Sequence, residues 1–128
     1  MMELENEQRE KFYAWMDSPL EQLVNEAIES DRGVAYSRYE MNGRTAALIL
    51  AVHPKTEPWK GRAEHYFDEN SGNPIDSIKG ASYSLILDHA FEVAPQGHSG
   101  VFVIYDPPVV IIASAVEGQI KALERDYL

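Results

Sequence analysis

Val34-Ala35-Tyr36-Ser37-Arg38-Tyr39-Glu40-Met41-Asn42-Gly43-Arg44-Thr45-Ala46-Ala47-Leu48-Ile49-Leu50-Ala51-Val52 reads as two strands around a two-residue turn. Asn-Gly is the pair that tolerates positive φ at both central positions, which the tight hairpin turn requires. A two-residue loop sets the register, so Tyr39 is expected opposite Ala46 and Ser37 opposite Leu48. The apolar run Ala46–Val52 lacks alternation, which predicts a central strand covered on both faces. His53 and Pro54 close it.

Upstream, Ser18-Pro19-Leu20-Glu21 carries a hydroxyl N-cap, proline at the first helical position and a glutamate able to return to the cap. Leu20, Leu23, Val24, Ala27 and Ile28 then repeat at helical spacing, with Glu21, Glu26 and Glu29 off the stripe and Gly33 placed to end the helix. An earlier helix is expected over Leu4–Met16, its first turns polar enough to fray or stay disordered, its end crowded with Phe12, Tyr13, Trp15 and Met16.

Downstream, Lys55–Gly61 is a loop, Arg62–Asp68 a candidate third strand and Glu69–Pro74 turn-rich. Tyr83, Ile86, Leu87, Ala90 and Phe91 repeat the helical template, which predicts a helix over Ala81–Val93. After a loop at Ala94–Gly100, Val101–Tyr105 is a short buried strand. Asp106-Pro107 could cap a long helix, but the β-branched Val109–Ile112 favours a strand, and Ser114–Glu117 offers a capping box for a last helix over Ala115–Tyr127, with Val116, Ile120, Leu123 and Tyr127 inward. The expected fold is α+β: a mixed or antiparallel sheet of about five strands with helices packed on it, in the order α-α-β-β-β-α-β-β-α. Residues 1–17 form an acidic helical arm and 18–128 a single domain, the usual size for one core.

The 128 residues carry a net charge of −10, and the imbalance is local. Residues 1–31 hold nine acidic groups against Arg9 and Lys11, residues 32–79 balance to +1, and residues 80–128 to −4. Such an end speaks of solubility and partners rather than of fold. Without cysteine there is no disulfide, thiolate zinc site or thiol nucleophile, and with neither a signal-peptide pattern nor a membrane-length apolar run the expected location is cytoplasmic, with no membrane contact.

Chemistry-bearing motifs are thin. His53, His65, His89 and His98 show no zinc-helix spacing, so no metal is expected; His65, between Glu64 and Asp68, is the remote candidate for an acid/base pair in a small hydrolase. Asp68–Asn73 departs from a calcium loop at three places, with Gly72 and Asn73 in the wrong order at five and six and Lys79 at twelve, and Gly97–Gly100 lacks the second glycine of a nucleophile elbow. No glycine-rich phosphate loop occurs, and no cofactor is expected. Lys55, Trp59, Lys60 and Arg62 form the one basic, aromatic loop, too little charge for direct nucleic-acid binding but suited to an acidic segment of another subunit, which leaves a homodimer open.

The functional expectation is a non-enzymatic acidic protein-binding module, an adaptor, chaperone or inhibitor, that engages a basic partner surface. Its contacts would be Glu3, Glu5, Glu7 and Glu10 with the anchors Phe12, Tyr13, Trp15 and Met16. The alternative is an acidic mimic of nucleic acid that inhibits a DNA- or RNA-binding protein.

The element order over Ser18–Leu128 is similar to that of the small acidic chaperones of type III secretion effectors, which implies a secretion-chaperone-like, partner-holding surface. Ser18–Ala90 also resembles the helix, three strands, helix order of a double-stranded RNA-binding domain, with Pro19 and Asn25 in compatible places. The lysine cluster of that domain is replaced by Ser82, Tyr83 and Ser84. Both resemblances are topological and carry over no site residue.

Overall fold

The computed structural model describes residues 2–54, 56–57, 59–62, 80–92, 101–106 and 108–128, the side chains of 2–6 and 89–92 excepted. The fold is α+β, with four helices and a four-stranded antiparallel sheet among the described residues: α1 Met2–Met16, α2 Leu20–Glu29, β1 Val34–Met41, β2 Arg44–Val52, α3 Tyr83–Glu92, β3 Val101–Asp106, β4 Val109–Ser114 and α4 Glu117–Tyr127. The sheet order is β1-β2-β4-β3. Among the described residues there are four strands where five were expected. Of the candidate strand Arg62–Asp68, Arg62 belongs to a helical turn and the rest lies outside the described residues.

The turn forms as its residues demand, with Asn42 at φ 56° and Gly43 at φ 77°. The register beyond it differs from expectation. Met41 opposes Arg44 and Glu40 opposes Thr45, but Tyr39 then opposes Ala47 and Ser37 opposes Ile49. Ala46 is an extra residue on β2, a bulge that moves every later pair by one. The shift puts Ala47, Ile49 and Ala51 on one face of the sheet and Leu48, Leu50 and Val52 on the other.

Both faces of β2 are buried, and each face has its own cover. Leu20, Leu23 and Ala27 of α2, Tyr83, Ile86 and Leu87 of α3, and Phe12, Trp15 and Met16 of α1 pack over Ile49, Ile111 and Phe102. On the opposite face Ile120, Leu123 and Tyr127 of α4 join Trp59 over Leu48, Leu50, Val110 and Ile112. Each fully buried aliphatic side chain here contributes roughly 1.5–3 kcal/mol relative to exposure, so these two clusters hold the fold together. Among the described residues no helix is long and apolar enough to cross a membrane.

The caps differ from the sequence reading. Pro19, extended at φ −75° and ψ 133°, is the cap of α2, and Ser18 makes no side-chain cap bond. Instead the backbone crosses to the start of α3: Leu20 N–H donates to Ala81 O at 2.9 Å and Tyr83 N–H to Ser18 O at 3.2 Å. That short bridge pairs the Leu20 N–H, one of the first-turn donors of α2, and the Ser18 carbonyl with the backbone that leads into α3. Before α4 the cap residue is Val116, exposed rather than inward, and Ser114 Oγ accepts from Val116 N–H at 3.1 Å. Gly33 lies past the end of α2 as the entry to β1, with φ 76°, and its carbonyl accepts from His53 N–H at 2.7 Å.

Candidate protein-binding surface

α1 is docked by its second half. Phe12, Trp15 and Met16 recur at i, i+3 and i+4, which sets them on one helix face, and that face meets the sheet. The Phe12 ring stands edge-on to Tyr39 at 5.0 Å, and Trp15 edge-on to Tyr83 at 5.0 Å. Trp15 Nε1 donates to Ser37 Oγ at 2.8 Å, and Tyr39 OH donates to Gln8 O at 2.8 Å. Burial raises the Tyr83 phenol above the ordinary value of 10.0, and the charge of Glu26 adds to this, against a lowering by its hydrogen bond with Ser37.

This arrangement redistributes the expected anchors. Phe12, Trp15 and Met16 are half-buried against the protein's own core, and of the four only Tyr13 stands out, 57% exposed. Glu7 and Glu10 are exposed on the same helix, while Glu3 and Glu5 fall on its first turns. Tyr13 and Phe12, with Gln8, Arg9 and Met41 of β1, line an open groove of about 510 Å³. Gln8 and Met41 carried no sequence signal, because their meeting depends on the docking of α1.

The acidic side chains of the two N-terminal helices share one property. Among the described residues none of Glu7, Glu10, Asp17, Glu21, Glu26 or Glu29 takes part in an ion pair, and all are exposed. The carboxylates of α4 contrast with this. Glu117 meets Arg44 and Lys121, both at 3.5 Å, Glu124 meets Arg38 at 3.0 Å, and Asp126 meets Arg125 at 3.3 Å. On the layer formed by α1 and α2 these unpaired carboxylates outnumber the exposed cations Arg9 and Lys11, so the layer carries net negative charge.

The basic loop has a structural occupation. Trp59 is 2% exposed and its Nε1 donates to Arg32 O at 2.8 Å, so the ring is not available to stack on a base. The Arg62 guanidinium lies 5.8 Å from that ring centroid and donates to Asp126 O at 3.0 Å; Arg32 lies 5.2 Å from it and donates to Tyr127 O at 3.2 Å. Two cations thus sit on the last carbonyls of α4, where the helix dipole favours them. Lys60 is exposed, and Lys55 lies outside the described residues. Arg32 carried no sequence signal, and the inward placing expected for Tyr127 gave no hint of Trp59 or Arg32 as its neighbours, since these are distant along the chain.

His53 is half-buried, its Nδ1 at 2.5 Å from Thr56 Oγ1. His65, His98, the acidic turn Asp68–Asn73 and the loop Gly97–Gly100 lie outside the described residues. Among the described residues no three metal-ligating side chains stand together. No protein-family model matches the chain, and no curated protein or solved structure is significantly similar to it.

Proposed function

We propose that this chain is a non-enzymatic binding module, an adaptor, chaperone or inhibitor, that engages a basic protein surface through the α1–α2 layer. The observation that carries the reading is the contrast in charge pairing. Carboxylates kept without counter-ions on one layer, while those of α4 are matched, leave a field that attracts a cationic partner and speeds its encounter. Tyr13 and the groove beside it supply the apolar contact that charge alone lacks.

Removing residues 1–17 would uncover the core beneath Phe12 and Trp15, so surface substitutions are the cleaner test. The full chain should capture a basic protein from cells that make it, release it as salt rises, and lose most of it in an E7Q/E10Q/Y13A variant that still folds. Capture indifferent both to salt and to these substitutions contradicts the reading. Displacement of the captured protein by duplex DNA would shift the assignment to a nucleic-acid mimic.

A further inference from the structure

Strand β1 is an edge. Among the described residues it pairs with β2 on one side and with no strand on the other, and its eight residues are long for an edge. Natural edges are blunted by proline, by bulges, by charged side chains or by a helix or loop laid over them. β1 contains no proline, and the bulge beside Tyr39 and Glu40 adds its extra residue, Ala46, to β2, so β1 itself carries no inserted residue. Its charges are one arginine and one glutamate. Arg38 and Glu40 share a face of the strand, two residues apart, both still solvent-accessible at 37% and 62% although they approach each other at 3.6 Å.

We infer that two copies of this chain join through β1, antiparallel about a two-fold axis at Tyr39. In that register Arg38 of each copy stands across from Glu40 of the other, and the four-stranded sheets continue into one of eight. The alternation is self-complementary: a strand with two like charges would repel its own copy, whereas this one places opposite charges in both cross-strand positions. Arg38 has donors to spare, since a guanidinium offers five and it gives one to Glu124, with Glu40 only an ion-pair neighbour at 3.6 Å. Continuity adds a second argument. The groove under Tyr13 is lined by Met41, the last residue of β1, so an open strand edge, a groove of mixed polarity and an exposed aromatic ring lie together. This inference does not depend on the basic-partner reading.

The test uses the charge pattern itself, at roughly 0.15 M salt, where screening over about 8 Å limits repulsion between two acidic chains. Sedimentation of the unaltered chain should give twice the monomer mass of 14.4 kDa. R38E alone and E40R alone each put like charges across the axis and should weaken the dimer roughly tenfold or more. An equimolar mixture of the two restores both opposite-charge pairs and should recover the dimer, as a mixed species by native mass spectrometry. Far-UV circular dichroism confirms that both variants fold. A monomeric parent chain overturns the inference. So does a parent dimer that either variant leaves intact, or variants that stay monomeric when mixed, since the join would then lie elsewhere or in another register.

Discussion

The two acidic ends of this chain are built differently. α4 buries Ile120, Leu123 and Tyr127 at 2% exposure or less, matches Glu117, Glu124 and Asp126 to cations, and has Arg32 and Arg62 on its final carbonyls. α1 rests on half-buried rings and two side-chain hydrogen bonds, and its outward carboxylates meet no cation among the described residues. The C-terminal helix is part of the core, while the N-terminal one is laid on it and keeps its charge facing solvent. Acidic residues at the two ends therefore sit in opposite settings, paired with cations in α4 and unpaired in α1.

Breaking the better-built end should cost most. Tyr127→Ala removes a ring packed against Trp59 at 5.2 Å and should destabilise the chain by about 3–5 kcal/mol, as for large aromatic truncations in cores. Urea unfolding reads this, and a loss below about 1 kcal/mol would contradict the anchoring described for α4. Trp15→Phe keeps most of the ring and loses the bond to Ser37, so about 1 kcal/mol is expected. Amide exchange should quicken in α1 while β2 and β4 stay protected; uniform loss across the sheet would make α1 as integral as α4.

The smallest expected effect lies under α1. Because the folded-state value of Tyr83 is raised, the unfolded chain ionises first as pH climbs past about 10. Stability from this phenol is complete below that pH and is lost as pH rises through the folded value. The difference between the parent chain and Tyr83→Phe in denaturant midpoint should therefore shrink above about pH 10. A difference constant with pH would remove the ionisation from the account.

What the sequence could show depended on how local the physics was. The Asn42-Gly43 turn, the doubly covered β2 and the helix from Tyr83 follow from residues within one window. The register did not, because Thr45-Ala46-Ala47 is a run of small residues with no alternation to mark the bulge. Ser18 looked like a cap since capping is local chemistry, yet its backbone found Tyr83, sixty-odd positions away, and the cap went unused. The aromatic cluster of α1 announced contact without saying with what. The i, i+3, i+4 spacing of Phe12, Trp15 and Met16 held the answer, with Tyr13 off that face. Trp59, flanked by cations, was legible as a contact residue; that the contact is Arg32 of the same chain was not.

The central claim is that the unmatched carboxylates of α1 and α2, rather than acidity as such, are the binding face. The most direct measurement is the association rate of the captured basic protein, over a salt series, with two sets of neutral substitutions. E7Q/E10Q/E21Q/E29Q should slow association about tenfold or more at low salt and flatten its salt dependence, as loss of electrostatic steering does. E117Q/D126N, taken from the matched helix, should leave both within about twofold. Equal effects from the two sets, or none from the first, would contradict the account.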